Sequence, residues 1–184
     1  PGMDAISFED YRKGLLARAR VARSTASAHA AGKIIPFDPN PNNQISWHHI
    51  TAATPNRSEA FPAAGHRRSD PVHPPTNDTA LLEVGATLLE KWSAEMMLIT
   101  LGEQGMMLFR QGEPPFHIPT RAREVFDVSG AGDTCIALFT LALTAGATPA
   151  EAADISNHAS GVVVGKLATA TVAPAALQAR FPPV

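Results

Sequence analysis

Asp127-Val-Ser-Gly130-Ala131-Gly132-Asp133-Thr134 places two glycines and a carboxylate directly ahead of an apolar run from Cys135 to Leu143. Glycines flanking an alanine let the backbone turn tightly and present consecutive N–H groups. The apolar run reads as a buried helix, so those groups fall at a helix N-terminus, a place that attracts phosphate or developing negative charge. A carboxylate beside such a site is what a base needs to take a proton from an alcohol attacking a phosphoryl group. A plain turn with an acidic helix cap would use the same residue types.

Other segments carry compatible chemistry. Thr100-Leu-Gly102-Glu-Gln-Gly105 ends an apolar run with a hydroxyl and two glycines, suited to a nucleotide lying close over the backbone. Asn56-Arg-Ser-Glu59 spaces an amide and a carboxylate three residues apart, hence on one face of a helix. Such hard oxygens can hold hydrated Mg²⁺ near phosphates, and equally well form a capping box. Asn157 offers an amide inside a long helical stretch, where most asparagines are simply exposed.

The elements that must position these residues alternate between strand and helix. The pattern predicts a strand at 4–8, a polar turn from Asp10 to Gly14, and a helix at 15–31 stopped by Gly32. A second strand, Lys33 to Asp38, contains Pro36 and is therefore expected at an edge or beside a bulge. Asp38 to Asn43 reads as loop, Ile50 to Thr54 as a third strand, and the proline-rich stretch 62–78 as a mobile surface loop. A helix at 79–92 capped by Asn77 or Asp78, a buried strand at Met96–Leu101, and a hairpin of Met106–Arg110 with Phe116–Ile118 follow. After the glycine-rich turn, Thr148, Pro149 and Glu151 open a last long helix reaching about Val164. Alternating strands and helices imply an α/β fold with a mostly parallel sheet, whose ligands gather at strand carboxyl ends.

At 184 residues and 45% hydrophobic content, one domain with a real core is expected. Net charge is −2 and the 15 basic residues form no long stripe, which argues against a nucleic-acid partner. The single cysteine, Cys135, lies in the most apolar segment, so it reads as a core residue and no disulfide framework is available. Only His48 and His49 are adjacent among seven histidines, and neighbours on an element point apart, which disfavours a metal site there. No apolar run suits a membrane span, so no membrane partner is expected and the default compartment is cytoplasmic. Pro1-Gly2-Met3 runs almost straight into an apolar stretch, which suggests a domain incomplete at its N-terminal side. An open sheet edge there would invite pairing with another copy, a homo-oligomer.

Taken in order, these segments resemble the PfkB/ribokinase family of sugar kinases, with D-x-x-G-A-G-D at Asp127–Asp133, N-x-x-E at Asn56–Glu59 and T-x-G-x-x-G at Thr100–Gly105. The likeness is sharpest to members acting on a heptose 7-phosphate, along 4–14, 54–59, 99–106 and 161–171. It implies a three-layer ribokinase-like αβα sandwich, with this chain a carboxyl-terminal portion carrying the nucleotide site. It further implies ATP and Mg²⁺ as cofactors and a small-molecule sugar phosphate as acceptor. On this likeness Asp133 is the catalytic base, and the amides of Gly130, Ala131 and Gly132 form the anion hole. Asn56 and Glu59 organise the metal, while Thr100, Gly102, Gly105, Asn157 and Asp127 line the nucleotide site. The chain departs from the family pattern at Arg12, usually glycine, at Asn40, usually lysine, and at Leu101, usually arginine. A nucleotide-binding fragment without turnover, or a different sugar or nucleoside kinase of the family, fits the same motifs.

Overall fold

The computed structural model describes residues 2–11, 13, 16–40, 47–122, 124–168 and 170–181. The loop expected beyond Asn40, and the departure at Arg12, lie outside them. Six strands form one sheet in sequential order: β1 (Phe8–Glu9), β2 (Pro36–Asp38), β3 (Ala52–Ala53), β4 (Met96–Thr100), β5 (Met106–Arg110) and β6 (Phe116–Ile118). The pairings from β1 through β4 are parallel, whereas β4–β5 and β5–β6 are antiparallel. The expected hairpin is therefore present and forms one border of a mostly parallel sheet. β1 forms the other border, with no further strand beside it among the described residues.

Side-chain alternation along the strands divides the interior into two cores. Phe37, Ala53, Met97, Ile99, Met107 and Phe109 face one way. They pack on Val21 and Ala28 of α1 (Arg18–Ala30), Ala60 and Phe61 of α2 (Arg57–Ala63), and Leu81, Val84 and Leu88 of α3 (Thr79–Lys91). Ala52, Met96, Leu98, Met106 and Leu108 face the other way. They meet Cys135 and Phe139 of α4 (Ala131–Thr144) and Ala152 and Ala153 of α5 (Pro149–Val163). The result is an αβα sandwich, with a short α6 (Pro174–Gln178) at the end. Cys135 is a buried core residue whose thiol is pushed up to about 12 by burial.

The α5 start is as expected: Thr148 accepts from the Glu151 amide while the Glu151 carboxylate receives the Thr148 N–H, with Pro149 at the first position. Asp78 caps α3. Structure also appears within 62–78, where α2 runs to Ala63 and Pro75–Asn77 forms a 3₁₀ turn. Two strands are shorter than their apolar patterns: only a bridge at Ala5 precedes Phe8, and β3 keeps just Ala52 and Ala53.

The expectation that Pro36 places its strand at an edge or beside a bulge is wrong, because β2 pairs with a strand on each side. The Ile35 and Phe37 carbonyls accept from β3, at the amides of Thr51 and Thr54, 3.0 Å in each case. Alternation therefore turns the Pro36 nitrogen toward β1. There the pairing is interrupted between the Ala5–Ile34 bridge and the Phe8–Phe37 pair. Both flanking pairings keep the same register, so the interruption is the one ladder bond that a proline nitrogen cannot donate.

Gly105 joins the β4 end to β5 with φ +87°, and a Cβ there would lie 2.1 Å from the Ile118 carbonyl oxygen. Backbone cannot yield as a side-chain tip can. Gly105→Ala is expected to destabilise by roughly 3 kcal/mol, read by urea unfolding. A loss within about 1 kcal/mol would contradict this packing.

Candidate active site

Parallel pairing brings the carboxyl ends of β1 to β4 to one border of the sheet. Glu9 and Asp38 end β1 and β2 and are partners in register. Thr54 follows β3, and the chain turns through Pro55 into α2, with the Thr100 amide donating to the Pro55 carbonyl at 3.0 Å. Asn56 and Thr100 are bridge partners, so the N-x-x-E and T-x-G-x-x-G segments touch directly.

The N-terminus of α4 meets this border. Gly130, at φ +77°, is its N-cap, and Asp133 lies in its first turn. A left-handed residue at that point suits glycine, because a Cβ would clash with its own carbonyl. The Ala131 N–H donates to the Val128 carbonyl at 3.2 Å. The amides of Gly132 and Asp133 belong to the first turn, where no preceding helical carbonyl accepts them, and that of Gly130 lies on the cap just ahead of it. Of the expected set, the Ala131 amide is therefore engaged, while the Asp133 amide lies in the first turn beside that of Gly132. Asp127 shapes the approach: its Oδ1 accepts from the Ser129 N–H at 2.8 Å, which holds this exposed carboxyl below its ordinary range.

Asp133 is half-buried, and its Oδ1 accepts from the Tyr11 hydroxyl at 2.5 Å. The same bond holds the phenol above its ordinary value, with burial adding to it. Three more carboxylates share this region. Burial, then the charges of Glu59, Asp133 and Glu9, push Asp38 up to about 7, opposed by the Thr54 hydroxyl. That hydroxyl is buried and favours the charged carboxylate without reaching good hydrogen-bond geometry. Glu9 is raised by burial and then by the charge of Asp133. Glu59 is raised by burial and held back by hydrogen bonds from Asn56. Among the described residues, no salt bridge neutralises any of these four.

Asn56 and Glu59 form a full capping box on α2. Asn56 Oδ1 accepts from the Glu59 amide at 3.1 Å, and Glu59 Oε2 accepts from the Asn56 amide at 2.8 Å. The helix-cap reading of this pair is realised, and Glu59 keeps its other oxygen for a further partner. Asn157 is buried rather than exposed, and its Nδ2 donates to the Pro119 carbonyl at 2.7 Å. Its amide N–H thus ties α5 to the segment after β6. Thr100 stands at the end of β4, and Gly102 opens the 3₁₀ turn that Gly105 closes. Glu9, Tyr11, Asp38 and Thr54 were missed as site residues from the sequence. The available signal was Asp38 itself, a carboxylate ending a strand of a parallel sheet.

A family model described as pfkB family carbohydrate kinase matches residues 14–176. The bifunctional protein HldE of Desulfatibacillum aliphaticivorans is 42% identical over 98% of this chain and 36% of its own length. The protein of that name from Erwinia tasmaniensis is 40% identical over 97% of the chain and 35% of its own length. The chain thus spans about a third of the length of these relatives. In structure it is similar to Arabidopsis thaliana ribokinase complexed with ribose and ATP (TM-score 0.73, 21% identity, 90% of this chain and 51% of that one). Escherichia coli phosphofructokinase-2 gives a TM-score of 0.77 at 16% identity, over 95% of this chain and 54% of that one. At these identities the structural likeness establishes the fold as ribokinase-like.

Asp38 supplies a pH test. A carboxyl whose folded pKa is raised keeps its proton after the unfolded chain has lost its own. Stability therefore falls as pH rises from about 4 to about 7, and the deficit is complete above that window. Asp38→Asn is expected to stabilise by about 2 kcal/mol at pH 8 and to be near neutral at pH 4, read by urea unfolding. A pH-independent effect would contradict the assignment.

Proposed function

The chain belongs to the pfkB family of carbohydrate kinases, and from that premise we propose that it carries the nucleotide side of an ATP-dependent sugar-phosphate kinase. The observation that carries this reading is Asp133, a half-buried carboxylate without an ion pair among the described residues, in the first turn of α4. It shares its border of the sheet with Glu59 and Thr100.

In this reading Asp133 takes the proton from the acceptor hydroxyl as that oxygen attacks the γ-phosphorus of ATP, whose bond to the β,γ-bridging oxygen breaks and releases ADP. Tyr11 must release Asp133 Oδ1, or leave Oδ2 to the substrate, for that transfer. The amides of Gly130, Gly132 and Asp133, with the α4 dipole, favour the charge on the transferring phosphoryl group. Catalysis then rests on positioning and electrostatics rather than on covalent chemistry by the protein. Thr100 and the turn from Gly102 to Gly105 line the nucleotide, with Asp127 shaping the loop at the mouth and Asn157 holding α5 beside it.

Mg²⁺ fits the donor set here. Glu59 and Asp38 offer hard oxygens, both are raised by burial, and the orphaned Thr54 hydroxyl adds a third. When bound, the ion supplies neutralisation of phosphate charge, and it needs only one or two protein carboxylates because it keeps most of its waters. Asn56 contributes by fixing Glu59 through the α2 cap.

The acceptor class is a sugar phosphate of the heptose 7-phosphate kind. Support comes from the motif likeness along 4–14, 54–59, 99–106 and 161–171 and from the HldE relatives at 40–42% identity. A cytoplasmic setting belongs to the same reading; among the described residues no helix is long and apolar enough to cross a membrane. The β1 edge is the surface open to a second copy.

Asp133→Asn is expected to lower kcat by about a thousandfold while leaving ATP·Mg²⁺ affinity within about threefold. Sugar-dependent ADP release and calorimetric titration read the two effects. Equal turnover by the variant would remove Asp133 as base. Nucleotide binding without sugar-dependent release by the unaltered chain would favour a binding module.

A further inference from the structure

We propose that Arg57 is a positioning residue, fastening residues 69–78 as a strap that holds the Asn56–Glu59 cap and the Thr100–Gly105 turn in register. The inference rests on the nucleotide-binding reading of those two segments. Arg57 is a poor choice for its place on local grounds. It is the first residue of α2, where the helix dipole disfavours a cation, and it is only 7% exposed. Arginine is seldom buried unless paired.

Its partners all lie on the strap. Nη1 stands 2.8 Å from Asp78 Oδ2, an ion pair at an angle outside hydrogen-bond geometry. Nη2 donates to the Ser69 carbonyl, the Ser69 hydroxyl and the Asp70 carbonyl at 3.2–3.3 Å. The guanidinium also lies 4.7 Å from the centre of the Phe61 ring. A planar fork with several donors can span such a set, whereas a lysine ammonium cannot.

Asp78 carries the connection onward. It is 2% exposed, caps α3 by accepting from the Leu81 amide at 3.0 Å, and accepts from the Val72 amide at 3.4 Å. The Val72 carbonyl in turn accepts from Gln104 Nε2 at 3.0 Å, and Gln104 lies in the turn between Gly102 and Gly105. The Gln104 carbonyl meets His117 Nε2 at 2.7 Å, which joins β6 to the same turn. The strap thus touches the N-x-x-E helix at both ends, through Ser69, Asp70 and Asp78, and the nucleotide-side turn between them, through Val72, in parallel with the direct Asn56–Thr100 bridge. A buried ion pair contributes little net stability against an apolar replacement, so its value here is in fixing one arrangement.

A double-mutant cycle on ATP·Mg²⁺ affinity tests this, measured by calorimetry at a temperature where circular dichroism shows each variant folded. Arg57→Met is expected to weaken binding about tenfold, Gln104→Ala about threefold, and the double variant no more than Arg57→Met alone, because the strap is already released. Arg57→Lys should recover part of the loss, and it replaces Met in the cycle if the Met variant does not fold. Multiplying effects, or a folded Arg57 variant that binds as tightly as the unaltered chain, would overturn the proposal and leave the functional reading intact. No nucleotide binding by the unaltered chain would overturn both.

Discussion

Negative charge held partly out of water, with no cation to balance it among the described residues, is the condition on which the site depends. Parallel pairing of β1 through β4 delivers Glu9 and Asp38 side by side, and α2 and α4 bring Glu59 and Asp133 to the same border. Burial raises Glu9, Asp38 and Glu59; the charge of Asp133 adds to it at Glu9, and those of Glu59, Asp133 and Glu9 add to it at Asp38. Such a cluster costs stability in the free protein and favours whatever arrives with positive charge. The amide-rich start of α4 favours the opposite sign. The two together suit a ligand that carries both, as a nucleotide with its metal does.

The sandwich places these groups with little freedom. The core on the α1–α3 side fixes where β3 hands over to α2, and the core on the α4–α5 side fixes where the first turn of α4 points. Ser160 of α5 steadies that turn by donating to the Ala131 carbonyl at 3.3 Å. Capping and chemistry are also not alternatives here. The box that starts α2 with Asn56 and Glu59 orients the Glu59 carboxylate, and Gly130, which starts α4, sets the direction of the amides. A residue type suited to a helix end is also suited to presenting charge at that end.

What the sequence disclosed was local. The helix start at the glycine-rich turn, the Thr148–Glu151 box, the Asp78 cap and the hairpin of β5 and β6 each follow from residues within a few positions of one another. What it hid was long-range. Pro36 sits in an interior strand, with the one ladder bond it cannot donate missing on the β1 side. Tyr11 meets Asp133 across 122 positions. Asp38 read as the start of a loop, and only its pairing with Glu9 shows it among carboxylates. Arg57 finds its hydrogen-bond and ion-pair partners twelve or more residues away. Asn157, expected to line the nucleotide site, gives its side-chain amide to the Pro119 carbonyl, 38 positions away.

The most direct test is to follow the Asp38 carboxyl carbon by NMR across pH, with and without ATP·Mg²⁺. The account predicts a transition near pH 7 in the free protein, moving at least one unit lower when the nucleotide and metal bind. An Asp38 that titrates in the ordinary carboxylate range, or one unmoved by saturating ATP·Mg²⁺, would contradict it.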